Sequence, residues 1–200
     1  MKPFRISTLL SILSIFCVNS VAQGVISFTS DNGLSNTCIR SFYEDSRHNV
    51  WICTTNGLNR YDGAKINVYS QDAPENYAMK SNYATDVVEI DLQTILIGLD
   101  ADGMQILNVK TNRLYSVPLL NPNGDTIQAH ISTFSRTHDG NIYAITAGYG
   151  IYKLEKSNGV KDGVQQYHAN YYQAFSQHGN MRQILNDSKR RIWLLSHNIV

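Results

Sequence analysis

The sequence is short of charge. Asp, Glu, Lys and Arg make up 16% of its 200 residues, and seventeen basic against sixteen acidic side chains leave a formal charge of +1. A chain so balanced has no field of one sign with which to hold a phosphate backbone or anionic lipid, so no nucleic-acid partner is expected. Proline is scarce, with four residues, while 42% are hydrophobic, which excludes a collagen-like fibre or a disordered tail. The uncharged run Ile6–Val18 is only thirteen residues long. As a helix it covers about 20 Å, short of the ~30 Å hydrocarbon slab, and does not read as a stable membrane span. Apolar three-to-four spacing is nowhere sustained over three turns, so long helices are not expected. What is abundant is tyrosine, with twelve residues, and glycine, with thirteen. Tyrosine suits half-buried pleated positions and glycine suits tight turns, so the expectation is all-β structure.

The amino end reads as an address. Lys2 and Arg5 precede the apolar run without an acid, and Ser20-Val21-Ala22 places small residues where signal peptidase needs them. Cleavage is expected between Ala22 and Gln23, so that 1–22 is a signal peptide and 23–200 is exported. Cys17 raises a lipoprotein alternative, against which bulky Ile15 and Phe16 stand just before it. The remaining thiols, Cys38 and Cys53, then lie in a compartment that permits disulfides. They sit on two candidate strands joined by the turn Asp45–Asn49, where one register sets them opposite and a one-residue shift puts them on opposite faces. Two separate small buried residues is the favoured reading, since Cys behaves as a small hydrophobe in cores.

The exported part repeats. Asp45-Ser-Arg-His-Asn-Val-Trp51 is echoed from Asp91 to Leu96, from Thr137 to Tyr143 and from Asp187 to Trp193, and the anchors Trp51, Leu96, Tyr143 and Trp193 are spaced 45, 47 and 50 residues. That is the period of a four-stranded antiparallel β-propeller blade. About three and a half blades are expected, at 34–72, 82–120, 129–180 and a truncated 181–200. In the first, strands are expected at Thr37–Glu44, Val50–Thr55, Leu58–Tyr61 and Lys65–Ser70; in the second, at Ala84–Ile90, Thr94–Leu99, Met104–Val109 and Arg113–Val117. The third gives His130–Arg136, Asn141–Thr146 and Gly150–Leu154, after which Glu155–Asn180 reads as an inserted loop or a long outer hairpin.

The segment Gly33-Leu-Ser-Asn, the acid Asp45 before the hairpin, the strand Trp51-Ile-Cys-Thr and the stretch Gly57-Leu-Asn-Arg-Tyr-Asp-Gly63 together resemble the two-component regulator propeller repeats. Two positions depart from that pattern: His48 and Cys53 each stand where the repeat usually has Gly, which puts the local turn geometry in question at His48. The resemblance implies the exported sensor region of a hybrid two-component system histidine kinase. Such proteins carry two propellers, an immunoglobulin-like connector, a membrane helix, a kinase and often a receiver with a DNA-binding region. It further implies a periplasmic, inner-membrane-anchored sensor of saccharides, dimeric at full length. This chain shows none of the kinase segment and is expected not to be an enzyme itself. Val25–Thr29 reads as the strand that would complete a last blade, and the stop at Val200 in mid-blade reads as a fragment. A small propeller closed by two copies is the alternative.

Candidate chemistry is sparse. His48, His130, His138, His168, His178 and His197 lack the spacing of a compact zinc site and are expected on turns and surfaces; no metal or cofactor is expected. Asp100-Ala-Asp102-Gly103 lacks the further acids of a calcium loop, and Gly148-Tyr-Gly150 is too short to cradle phosphate; both read as turns between strands. In the cluster Tyr167-His168-Ala-Asn170-Tyr171-Tyr172, rings that stack on sugar faces alternate with polar groups that bond hydroxyls. Tyr167, His168, Tyr171 and Tyr172 are therefore the candidate ligand-binding residues, for an oligosaccharide. The plainer alternative is an amphipathic outer strand whose tyrosines cover the blade. The rivals to a sensing segment are a secreted propeller lyase or hydrolase and a protein-binding scaffold.

Overall fold

The structure, a computed structural model, describes residues 27–176 and 180–197. The expected signal peptide, the Ala22–Gln23 cleavage point, Cys17 and His178 lie outside the described residues. Among the described residues four sheets follow one another along the chain. The first is built from β1 (Ile39–Glu44), β2 (Val50–Thr54), β3 (Gly57–Tyr61) and β4 (Ile66–Tyr69), and the second from β5 (Ala84–Asp91), β6 (Thr94–Leu99), β7 (Met104–Asn108) and β8 (Arg113–Val117). In both, neighbours in sequence are neighbours in space and every pairing is antiparallel, the meander of a propeller blade.

The third sheet corrects the four-stranded expectation. Its inner part is β11 (Ile131–Arg136) and β12 (Ile142–Thr146), followed by β13 (Gly150–Lys161) and β14 (Val164–Tyr171). Two short strands from the preceding connection, β9 (Leu119–Leu120) and β10 (Thr126–Ile127), are added outside β14, giving six strands in the order β10-β9-β14-β13-β12-β11. The β14–β9 pairing is parallel, with Ala169 opposite Leu119. Residues 119–120, which the blade boundaries assigned to the second unit, thus belong to the third sheet. The polar stretch after Leu154 is the long hairpin, not a loop, and it ends in one helical turn, α1 (Gln173–Ser176). The fourth sheet is the pair β15 (Asn180–Asn186) and β16 (Ile192–His197).

Local chemistry explains the turns. In the β1–β2, β11–β12 and β15–β16 hairpins one residue takes a left-handed conformation: His48 at φ 62°, Gly140 at 82° and Arg190 at 62°. The departure from glycine at His48 therefore leaves the turn geometry intact, at the cost of holding a side chain where glycine is comfortable. The β5–β6 turn is shorter, with Asp91 directly opposite Thr94. Each first strand carries a register shift at the corresponding point: between Ile39 and Ser41, Ala84 and Asp86, Ile131 and Thr133, and Met181 and Gln183. A bulge there bends and twists the strand nearest its neighbours in adjacent sheets. Indeed β1 packs on β5, β5 on β11 and β11 on β15, which makes the first strands the inner ones.

Apolar alternation on these strands is consumed between the sheets. Trp51, Cys53, Leu58 and Tyr69 meet Val87, Ile95, Ile97 and Leu107 in one core. The reverse face of the second sheet, with Leu96 and Ile106, meets Ile142, Ala144 and Tyr152 in the next. Tyr143, Ile145 and Ile151 then meet Met181 and Ile184. The four anchors occupy one recurring place, on the second strand and opposite Tyr43, Val88, Ser135 and Leu185 respectively. Two corrections concern smaller features. Cys53 is buried but Cys38 is exposed; both are free, and Ser41 is the residue opposite Cys53. Ser27–Thr29, the described part of the expected completing strand, is not a strand and pairs with no sheet.

Candidate functional site

Polar contacts hold the sheets in order. Ser46 of the first hairpin gives its backbone N–H and its hydroxyl to the two carboxylate oxygens of Glu89, at 3.0 and 2.8 Å. Arg136 reaches back to the carbonyls of Glu89 and Ile90, and Asn186 Nδ2 donates to the Arg136 carbonyl at 2.6 Å. Asp86 Oδ2 accepts from Thr133 Oγ1 and from the Phe134 N–H, both at 2.7 Å. These side chains reach from one inner strand to the next, so that loops and outer strands are carried on a fixed frame.

The outer hairpin of the third sheet carries the candidate residues. Because side chains alternate across a strand, β14 splits them. Tyr167 is buried, and both it and Tyr171 belong to the core facing the second sheet, Tyr171 edge-on to Tyr152 at 5.7 Å. His168 and Asn170 point the other way. There Asn170 Nδ2 donates to Glu155 Oε2 at 2.8 Å and contacts His168 Nε2 at 3.2 Å, while His168 Nδ1 lies 2.9 Å from Ser157 Oγ. An amide nitrogen only donates, so His168 accepts at Nε2 and carries its proton on Nδ1, facing Ser157. Tyr172, one residue beyond the strand, packs against Tyr143 and Phe175 on this same side. Of the four candidates the fold thus groups His168 with Tyr172 on one face and Tyr167 with Tyr171 on the other.

Glu155 and Ser157 were missed by sequence reasoning because they reach His168 only through the β13–β14 register, which pairs Glu155 with His168. With Asn170 spending both its protons inside the cluster, what remains for a ligand is acceptor-rich: the second Glu155 oxygen and the Asn170 carbonyl, with the Ser157 hydroxyl able to donate. Burial and the adjacent Tyr172 push the Tyr143 phenol up to about 12, so it stays protonated.

The other histidines are dispersed. His48 Nδ1 sits 2.6 Å from Glu44, His130 Nδ1 2.6 Å from Asp100 and His138 Nε2 2.7 Å from the Asp187 carbonyl. Among the described residues no group of three or more His, Cys, Asp or Glu side chains is placed to hold a metal ion. Asp100–Gly103 lies in the β6–β7 turn, where Leu99 N–H bonds the Gly103 carbonyl, and Gly148–Gly150 forms the matching turn before β13.

Residues 33–56 match the family model for the two component regulator propeller. No curated protein matches the chain by sequence. Among solved structures, the chain is similar to the extracellular domain of the B. thetaiotaomicron protein described as the hybrid two component system BT3049, at 19% identity and a TM-score of 0.59, over 84% of this chain and 29% of that one. It is also similar to the extracellular domain of BT4673 from the same organism, at 18% identity and a TM-score of 0.64, over 88% of this chain and 23% of that one. The chain therefore spans less than a third of the length of either. At these identities the likeness is one of fold.

Proposed function

We propose, from the match of residues 33–56 to the two component regulator propeller model and the fold shared with extracellular sensor domains, that the chain is an extracytoplasmic ligand-sensing segment of a hybrid two-component sensor, binding oligosaccharide rather than transforming it. The observation that carries the reading is the row His168, Asn170 and Tyr172 on one face of the third sheet, braced by Glu155 and Ser157. Amide, carboxylate and hydroxyl groups of that kind exchange hydrogen bonds with sugar hydroxyls, and a ring beside them offers a face to the apolar side of a pyranose. The signal-like first 22 residues support the export that this reading needs, and the proposed compartment is the periplasm.

Further propeller blades are the structural partners this geometry suits. Phe42 on the first sheet and Trp193 and Leu195 on the fourth are exposed, whereas Val87, Leu96 and Tyr143 at matching positions of the middle sheets are buried. Signalling then proceeds by a change in how the propellers sit when ligand joins blades together, passed to a kinase through a membrane helix in a dimer.

The test is calorimetric titration of the full chain with a panel of neutral oligosaccharides, repeated with His168→Ala and Asn170→Ala. Saturable heat from at least one glycan, weakened about tenfold in the variants, supports the reading. Silence across the panel, or turnover of a glycan to shorter products, overturns it.

A further inference from the structure

A second candidate site shares no residue with the His168 face. Between the first and second sheets, toward the outer strands, is a cavity of about 250 Å³ lined by Arg60, Asn67, Tyr69, Tyr77 and Asn112. Its floor follows from register: Trp51 pairs with Arg60 and Arg60 with Asn67, so the three share the face turned to the second sheet. The Arg60 guanidinium lies over the Trp51 ring, 5.8 Å from its centre, which holds the cation in place without neutralising it. Arg60 Nε and Asn67 Nδ2 are both buried, and neither has a hydrogen-bond partner in the protein. Two orphaned donors side by side are costly, and such a cost is tolerated where something else accepts from that pair of side chains.

The rest of the lining agrees with an acceptor as the missing partner. Asn112 is held in a left-handed conformation, φ 57°, and its Oδ1 is already taken by the Tyr69 hydroxyl at 3.0 Å. What its amide has left is the NH2 group, a donor. No carboxylate lines the cavity. Arg47, in the first hairpin, acts on the Tyr69 phenol together with Arg60, so the positive charge here is not single. A cavity with a guanidinium, two amides, two tyrosines and no acid suits a planar, acceptor-only group, and a carboxylate matches the guanidinium fork best. The volume suits a small carrier of that group, and the flanking rings suit a polar ring or short chain.

We infer that this cavity is a carboxylate site, taking a sugar acid or another small organic acid. It is independent of the saccharide reading, since it shares no residue with the His168 face. The test is calorimetric titration of the full chain with sodium glucuronate, sodium acetate and glucose as separate probes. The carboxylates bind and glucose does not; tighter binding of glucuronate than of acetate assigns the sugar acid, and equal binding assigns the free carboxylate group.

Arg60→Gln removes the cation but also unpacks Trp51, so Asn112→Asp is the sharper variant. It keeps the acceptor for Tyr69, tolerates the left-handed backbone and adds a negative charge to the cavity. Both variants are expected to weaken carboxylate binding about tenfold or more. Equal heats from glucose and glucuronate, no heat from either carboxylate, or an unchanged affinity in a folded Asn112→Asp protein overturns the inference. His168→Ala leaves glucuronate binding intact, which separates a failure here from a failure at the other face.

Discussion

Trp51 Nε1 donates to Asp45 Oδ2 at 2.9 Å across the first hairpin, and the same six-residue spacing joins Trp193 to Asp187 at 3.1 Å in the fourth sheet. The other Asp45 oxygen accepts from the backbone N–H groups of Arg47 and Asn49, both at 2.9 Å. One carboxylate thus closes the turn and ties it to the anchor of the blade core. A double-mutant cycle between Asp45→Ala and Trp51→Phe should give a coupling energy of about 1.5–3 kcal/mol, as for a hydrogen bond to a charged group. Chemical denaturation checks it, and additive losses would sink the pairing as an energetic unit.

The same turns predict acid sensitivity. Burial pulls the Asp45 pKa upward, but the hydrogen bonds from Trp51, Asn49 and Arg47 outweigh it and leave the group below the usual carboxylate value. At Asp187 the Arg191 backbone N–H, then Trp193, bring it down to about 2. Depressed carboxylates contribute stability that is fully present above their unfolded value of about 3.9 and is lost as pH falls through the folded one. Thermal midpoints should therefore drop between about pH 4 and pH 2, and Asp45→Asn with Asp187→Asn should flatten that slope.

At His48 the left-handed backbone and the side chain pull in opposite directions. The contact with Glu44 joins two largely exposed groups, 86% and 61% accessible, so losing it should matter little. His48→Gly should raise Tm by roughly 2–4 °C through relief at φ 62°. A lower Tm in a scanning calorimeter would show that the imidazole contact outweighs the backbone.

Gly98 occupies in the second sheet the place Cys53 has in the first, two residues past the anchor. A Cβ there would come within 2.8 Å of Ile131 Cγ2 and 2.9 Å of Thr85 Oγ1. Gly98→Ala should destabilise by about 1–3 kcal/mol through overpacking between the second and third sheets. Urea unfolding measures it; a neutral outcome would mean that the inner strands slide apart freely.

Thiol accessibility separates the two described cysteines. Burial pushes the Cys53 thiol up to about 12, whereas Cys38 is exposed. Iodoacetamide at pH 8 followed by peptide mapping should modify Cys38 in the folded protein and Cys53 only after denaturation. A Cys38–Cys53 disulfide peptide in the oxidised protein would contradict the observed register.

Much of the first two sheets was legible because their pairings are local. Asn56-Gly57, Asp62-Gly63 and Asp102-Gly103 mark turns, and the strands between them, such as Thr94–Leu99, need only the next hairpin to be recognised. The third sheet was harder, since Leu119 finds its partner Ala169 in parallel and far along the chain, and no local pattern announces such a pairing. Cys38 was misjudged because it lies just before β1, which begins at Ile39, and is exposed there, and residue type alone does not mark where a strand starts. At the sites, His168 and Tyr172 stood out by residue type, but Glu155, Ser157 and Arg60 acquire meaning only from the strands opposite them.

The strap Leu119–Leu120 has a consequence for the order of assembly. It leaves the ribosome ahead of the strand it seals, and must wait while roughly fifty further residues emerge before Ala169 and Asn170 arrive to meet it. The third blade is thereby latched from both of its chain ends, so proteolytic nicking anywhere within that span leaves two pieces still gripping each other through a single sheet.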